Sequence, residues 1–298
     1  MTGAEPEQIE VVGEAADATD PSQVTVVPVD DSFPATADVA MAVERAPGTV
    51  VRRLGGLGDL AEVGIRGSSA RHTAVLIDGL PLNPEGGSVD LSELPLAGFE
   101  RVEVYRGTSP LLLGATSLGG AVQLVTGTGT TSSGAIGGGN FGTGHGSATI
   151  AGHAGPAHVW FSADGLVTAG NFPYFDDNGT VFDDADDGTS IRENNDVRRL
   201  VTVARATVGD VTLLHVGTWS EGGVPGFTFA PAEAVRSGLT RNLAGLAWEH
   251  DVGTTLLTAR LHGLLREDRL DDPLDEIGVG SGSTADRTRT AGANVAFR

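Results

Sequence analysis

From about residue 133 onward, apolar and polar residues alternate with a period of two, the pattern of strands whose two faces meet different surroundings. Thr255 to Glu267 is the clearest run. Leu257, Ala259, Leu261, Gly263 and Leu265 share one face, and Thr258, Arg260, His262 and Arg266 share the other. Ala157, Val159, Phe161, Ala163 and Val167 repeat the pattern earlier, as do Ala291, Ala293, Val295 and Phe297 at the end. Eight such runs are predicted, at 133–141, 143–153, 157–168, 193–208, 211–221, 239–251, 255–267 and 287–298. Each is near the ~9–11 residues that cross a bilayer as a tilted strand. Tight links at Gly155-Pro156, Gly209-Asp210 and Val252-Gly253 alternate with long ones at 169–192, 222–238 and 268–286. Short turns on one side and long loops on the other suit a membrane barrel. A soluble β-sandwich also alternates, so periodicity leaves both architectures open.

The first part of the chain has a different texture. Val24-Thr-Val-Val-Pro-Val reads as a short strand, and the apolar spacing of 37–46 predicts a helix that Pro47-Gly48 stops. Further β-like runs lie at 62–66, 73–78, 101–105 and 121–126, each soon followed by Gly or Pro or ending the segment. Together they predict a small α+β domain, a mixed sheet with short helices, over residues 24–127. Residues 127–134 are entirely Gly, Thr and Ser, the composition of a flexible linker, and mark the boundary with the strand-rich part at 128–298. Residues 1–23 are rich in Glu, Asp, Ala and Pro and read as a mobile leader, broken by Ile9-Glu10-Val11-Val12.

Composition narrows the function classes. Nineteen basic against 39 acidic residues give a net charge of −20, which repels phosphate backbones and leaves no basic stripe for nucleic acid. Gly, 44 of 298 residues, is about twice its usual share of roughly 7%, and favours strands and turns. The absence of Cys removes disulfides and thiolate metal sites. No run of 18 apolar residues exists, so a transmembrane helix is not expected, although hydropathy is blind to a membrane barrel. The 5% aromatic content is low for a barrel with aromatic girdles. Met1-Thr-Gly-Ala-Glu-Pro-Glu has neither a basic nor an apolar signal region, so an outer-membrane reading expects the signal to have been removed or lost.

Several motifs within residues 24–127 then agree in order. Glu62-Val-Gly-Ile-Arg-Gly-Ser-Ser-Ala-Arg-His-Thr-Ala-Val-Leu-Ile-Asp-Gly-Leu-Pro-Leu-Asn83 is followed by Glu100-Arg-Val-Glu-Val-Tyr-Arg-Gly-Thr-Ser-Pro110, Gly114 and Gly119-Gly-Ala-Val-Gln-Leu-Val-Thr126. In this combination the segment resembles the plug domain of TonB-dependent outer-membrane receptors. The resemblance implies a plug followed by antiparallel transmembrane β-barrel strands, a place in the cell outer membrane, and energised uptake of a scarce nutrient chelate. Iron-siderophore and cobalamin-like chelates are the leading classes. It implies no covalent chemistry.

Physically, Gly67, Gly79 and Gly107 each follow a strand where the chain must turn, and Gly119-Gly120 permits close approach to a neighbouring wall. Asp78, Arg66 and Arg106 are charges at strand ends that would be expensive to bury unpaired. They are expected either to pair with each other or, for an Arg, to reach carboxylates on the barrel wall and latch plug to barrel.

Glu7, Gln8, Ile9, Glu10, Val11, Val12 and Gly13 resemble the family's TonB box, implying TonB, through its periplasmic C-terminal domain, as partner. Apolar/polar alternation in an extended leader suits strand addition to a partner's sheet edge. The loops Asn171–Thr180, Phe182–Thr189, Arg192–Asp196 and Gly222–Gly226 resemble those of vitamin B12 transporter-like receptors. Asp176, Asp177, Asp183, Asp184, Asp186 and Asp187 could supply oxygen ligands to Ca²⁺, against the plainer reading of a solvated acidic loop.

An enzyme would need two carboxylates pinned at a defined separation, and nothing in the sequence does this. The seven His are scattered singly, and His145, His153 and His158 lack a metal-ligand spacing. The competing reading is a non-energised surface or soluble β-rich binding protein. Family barrels have 22 strands, whereas this chain has room for about eight and ends at Val295-Ala-Phe-Arg298 without a terminal aromatic residue. A fragment or truncated gene product is therefore expected, with a curved, unclosed sheet beside the plug.

Replacing Ile9 or Val11 with Pro removes a backbone donor and should abolish uptake while leaving chelate binding intact. Unchanged uptake, measured with a radiolabelled chelate, would remove the assignment of residues 7–13.

Overall fold

The computed structural model describes residues 24–84, 86–107, 118–180, 182, 185–278 and 282–297. The TonB-box-like segment Glu7–Gly13, the stretch from Thr108 through Pro110 to Gly114, and the loop residues Asp183 and Asp184 lie outside them.

The first unit contains β1 (Val24–Pro28), α1 (Val39–Glu44), β2 (Thr49–Arg53), β3 (Ala61–Ile65), β4 (Thr73–Ile77), β5 (Leu80–Pro81), β6 (Arg101–Arg106) and β7 (Gly120–Val125). Five strands form a sheet in the order β1-β6-β7-β4-β5, antiparallel except for the parallel β4–β7 pair, and β2 and β3 form a separate hairpin. This is the mixed sheet expected from the sequence. Helix α1 is shorter than the predicted 37–46. Asp38 caps it by accepting from the Met41 N–H at 3.0 Å, and Val39, Ala40, Ala42 and Val43 turn inward. Strand β2 was not visible in the pattern, because its five residues are mostly exposed and take their order from β3.

The second unit contains β8 (Ser133–Gly139), β9 (Thr143–Ala154), β10 (Ala157–Thr168), the small pair β11 (Pro173–Asp176) and β12 (Gly188–Ile191), β13 (Val197–Val208) and β14 (Val211–Gly223). The two-residue strands β15 (Gly226–Phe227) and β16 (Ala230–Pro231) then precede β17 (Arg236–Val252), β18 (Thr255–Asp272) and β19 (Gly282–Phe297). The eight long strands form one sheet, each antiparallel to its chain neighbour, in the order β8-β9-β10-β13-β14-β17-β18-β19. Strands β8 and β19 are its two edges, so the sheet is unclosed. All eight predicted runs are present. The hairpins β11–β12 and β15–β16, inside predicted loops, were not foreseen, and β17 to β19, at 17, 18 and 16 residues, continue past the length needed to cross a bilayer.

The two faces of this wall settle the choice left open by periodicity. On β18, Leu264 is 1% exposed and Leu261 is 57% exposed, three residues away on the opposite face. Inward Val203, Leu214, Val216, Leu243 and Leu264 belong to the same core cluster as Val39, Ile65, Val75, Leu91 and Val104 of the small domain. Outward Ile150, Val167, Leu213, Leu265, Val295 and Phe297 remain uncovered. A sandwich would bury one face against a second sheet. Here the first domain covers the inner face, and the apolar side chains of the outer face stay uncovered, as on a membrane barrel. The few outward aromatics are placed economically: Trp248 and Phe297 lie toward the tight-turn ends, Trp219 toward the opposite end, and Phe161 between them.

Two contacts fix the join between domains. Asp78, at φ +46°, accepts from the Thr126 N–H at 3.0 Å and from its hydroxyl at 2.5 Å. The Gly/Thr/Ser run then passes against the wall, where a Cβ at Gly127 would collide with the Trp160 ring.

Burial pushes the Asp78 carboxyl up, against the two Thr126 bonds that pull it down. Its raised folded pKa contributes stability that is full below the ordinary carboxylate range and is lost as pH rises through the folded value. Protection of the Thr126 amide from hydrogen exchange should therefore fall with rising pH in the native chain and stay level in Asp78→Asn. Asp78→Ala should lower that protection roughly tenfold or more, the ~1–3 kcal/mol cost of orphaning a buried donor.

Candidate functional site

The β2–β3 hairpin carries the apex of the first domain at residues 54–60. Leu54 N–H donates to the Leu60 carbonyl at 3.0 Å, and Gly56 N–H donates to the Asp59 carboxylate at 2.5 Å, so one backbone and one side-chain bond close the loop. Gly58, at φ +90°, packs on Val197, the first residue of β13, which places the apex beside the long connections of the wall. Leu54, Leu57 and Leu60 are exposed there. Between apex and wall lies a cavity of about 310 Å³, lined by Asp59, Leu60, Asp90, Glu93, Leu239 and Asp268 among others.

The long connections are braced by polar side chains at their bases. Asn194, at φ +51°, donates from Nδ2 toward the carbonyls of Val224, Ala232 and Val235 at 2.9 to 3.1 Å. Asp196 and Arg236 form two contacts at 2.5 and 2.9 Å, and that pairing holds the Asp196 carboxyl below the usual range. Glu276 accepts from the N–H groups of Glu233 and Ala234 at 3.0 and 2.8 Å. These bonds explain why β13 begins at Val197 rather than at the predicted 193.

Deeper in, the wall grips one short turn of the first domain, the 3-10 turn Leu91–Glu93. Asp90 caps this turn by accepting from Ser92 N–H at 2.9 Å and also accepts from Ala61 N–H at 2.9 Å. Glu93 meets Arg241 of β17 at 2.8 Å and lies 3.8 Å from Arg266 of β18. Arg241, 1% exposed, also donates to Thr218 at 3.1 Å. Arg199 of β13 donates to the Ser92 carbonyl and lies 4.0 Å from Asp164, whose other oxygen is 2.7 Å from His145 Nε2. Thr149 and Ser162 add hydroxyl bonds to the Ala97 carbonyl at 3.2 and 3.0 Å.

The sequence leaves two pairings open for Arg66 and Arg106, with Asp78 or with carboxylates on the wall, and this grip uses neither arginine. Among the described residues the wall supplies arginines, and the plug supplies Glu93 and a carbonyl. Asp78 is bonded to Thr126, Arg106 donates to the Pro47 carbonyl at 3.1 Å, and the Arg66 backbone N–H donates to the Gly48 carbonyl at 2.8 Å. Glu93, Arg199, Arg241 and Arg266 were missed by sequence reasoning. Their signal was an isolated charge at an inward position, such as Arg241 between Leu239 and Leu243.

The glycines fall where turning or close approach was expected. Gly67, Gly79, Gly107 and Gly120 have φ of +79°, +79°, +121° and +138°. At Gly120 a Cβ would stand 2.3 Å from the Tyr105 carbonyl oxygen, and at Gly119 it would overlap Ser68. The wall approached most closely is thus the domain's own, except at Gly79, which packs on Arg260 of β18.

Of the calcium candidates, Asp176, Asp177, Asp186 and Asp187 are described. Asp176 and Asp177 accept from the N–H groups of Asn178 and Gly179 at 3.1 Å, and Asp186 accepts from Thr180 and Asn178. The Asp186 bonds hold its carboxyl below the usual range. Among the described residues no three His, Asp or Glu side chains gather as a metal site.

Residues 16–121 match the family model described as the TonB-dependent Receptor Plug Domain. Over 92% of this chain, the fold is similar to that of the copper transporter OprC, at 14% identity and a TM-score of 0.68. It is similar also to the FrpB iron transporter from Neisseria meningitidis, at 18% identity and 0.66 over 92% of the chain. A third likeness is to the ferric enterobactin receptor of Pseudomonas aeruginosa in complex with enterobactin, at 16% and 0.62 over 92%. The chain spans 43%, 46% and 46% of those three proteins, less than half of each.

Removing one partner of a buried ion pair costs about 3–5 kcal/mol, because the survivor remains buried and unpaired. Glu93→Leu alone and Arg241→Met alone should each markedly lower the urea midpoint for loss of the first domain's structure. The double variant should recover most of that loss. Additive losses in the double-mutant cycle would show that the two side chains do not act as a pair.

Proposed function

We infer that this chain, which carries the plug domain of the TonB-dependent receptors and the adjoining strands of an outer-membrane barrel, serves the energised uptake of a scarce metal chelate across the outer membrane. The observation that carries this reading is a plug seated against the inner face of a lipid-facing wall, with its apex turned toward the long connections.

In this mechanism the chelate binds at the apex and the connections, and TonB takes hold of the leader at Glu7–Gly13. Tension along the leader reaches β1 first. That strand lies at the edge of the plug sheet and pairs with β6 alone, so it yields before the interior strands. The grip of Arg199 and Arg241 on Leu91–Glu93 holds the rest of the plug on the wall while a path opens. No bond of the cargo is made or broken. Iron-siderophore or cobalamin-like chelates are the cargo classes taken here. The structural relatives are named for copper, iron, siderophores and enterobactin, and a metal-bearing cargo agrees with those names.

The alternative is a binding protein with no energised step, at the surface or in solution. The uncovered apolar face of the wall favours a membrane instead. Two measurements separate the readings. The chain should sediment with outer membranes and need detergent for extraction, and uptake of a radiolabelled metal chelate should stop in cells lacking TonB while surface binding persists. Recovery in the soluble fraction, or uptake indifferent to TonB, would favour the alternative.

A further inference from the structure

The strand wall brings two histidines face to face at its tight-turn end, away from the apex and the long connections. His153 of β9 and His158 of β10 stand directly opposite each other across the hairpin that turns at Gly155-Pro156. Their ring centroids are 5.3 Å apart and their planes meet at 73°. His153 repeats the spacing of the buried His145 and Thr149 on β9, and His158 shares the parity of the buried Ser162 and Asp164 on β10. Both rings therefore lie on the inner face of the wall. In sequence the two looked scattered, but the two-residue turn makes them a cross-strand pair, with Cβ atoms ~4.5–5.5 Å apart.

One ring is already oriented as a ligand. His158 Nε2 lies 2.9 Å from the Gly129 carbonyl oxygen, and a carbonyl only accepts, so Nε2 carries the proton. In the neutral ring the lone pair is then on Nδ1. Metal-binding histidines are commonly held in this way, one nitrogen donating to a backbone carbonyl and the other turned to the ion. His153 is exposed and has no hydrogen-bond partner among the described residues, so its ring turns without breaking a bond. Two imidazoles at ~2.0–2.1 Å from a tetrahedral ion hold their ring centroids about 5 Å apart, a separation that this pair already has. Among the described residues no third His, Asp or Glu joins them, so water completes the coordination. Arg205 of β13, on the same face, is turned to the Gly127 carbonyl at 3.4 Å, and its charge moderates the hold on a cation.

We propose that His153 and His158 form a cross-strand site for one borderline divalent ion, Zn²⁺ or Cu²⁺, on the inner face of the wall beside the linker. Imidazole suits these ions, whereas Ca²⁺ and Mg²⁺ take oxygen ligands. The bound ion ties β9 to β10 and fixes the ring that holds the Gly129 carbonyl. The site lies at the opposite end of the wall from the apex and does not depend on the cargo.

The test is a calorimetric titration of the untagged, detergent-extracted full chain with Zn²⁺, repeated with Cu²⁺ and with Ca²⁺. One Zn²⁺ should bind per chain, Cu²⁺ should bind at least as tightly, and a roughly hundredfold excess of Ca²⁺ should displace neither. His153→Phe keeps an aromatic ring against His158 and removes the ligand, so it separates metal binding from ring packing. It should weaken Zn²⁺ roughly tenfold or more, a loss no smaller than that of changing a group behind a ligand. His158→Gln should do the same. His215→Gln, on the exposed face of β14, should leave Zn²⁺ binding unchanged. Zn²⁺ should also slow hydrogen exchange at Ala154 and Ala157, which pair next to the turn, in the native chain and not in His153→Phe. The metal-free exchange of that variant should match the native chain, reporting that the hairpin folds. No Zn²⁺ bound by the native chain, or undiminished binding in His153→Phe or His158→Gln, would overturn the proposal.

Discussion

The structure depends on one constraint: the inner face of the strand wall carries charges and apolar side chains that neither lipid nor solvent can satisfy together. Arg199 and Arg241 are almost fully buried, and their partners come partly from a different domain. A buried guanidinium without acceptors is costly, so the wall requires the plug as much as the plug requires the wall. The apolar residues between those arginines, Val201, Val203, Leu239 and Leu243, add burial that does not discriminate orientation. The arginines make that interface directional, because only one short turn presents Glu93 and the Ser92 carbonyl together.

This arrangement divides the plug into unequal parts. The turn at Leu91–Glu93 is fastened to β13, β17 and β18, and the Asp78–Thr126 staple fastens the end of β4 to the exit of β7. Strand β1 has neither support. It pairs along one side only and leads directly to the chain's N-terminal segment. Mechanical and thermal stability therefore need not be shared evenly across a single sheet, and a domain can keep its seat while its edge is removed.

Much of this was legible in the sequence, for reasons that differ between the two halves. The wall strands were readable because lipid and plug impose opposite requirements on alternate residues, which writes a period of two into runs such as Leu257 to Leu265. The plug was readable through its glycines and its strand ends, where Gly67, Gly79 and Gly120 occupy backbone conformations that other residues rarely adopt. What could not be read were pairings between distant positions. Glu93 and Arg241 are 148 residues apart, and nothing local to either names the other. The grip on Glu93 was hidden for the same reason: Arg66 and Arg106 stand in recognisable motifs, whereas Glu93 and the wall arginines do not. Strand β2 and the hairpins inside the long connections were hidden because exposed strands carry little apolar signal.

The chain contains nineteen basic residues, and every one of them is arginine. A lysine in place of Arg241, in direct contact with Glu93, could lose its proton as its surroundings changed, and the contact would loosen by chemistry alone. A guanidinium keeps its charge at any pH that a cell envelope meets. The fastening between the two domains thus keeps its positive charges wherever the chain folds, and only its acidic side, Glu93, can be switched by a proton.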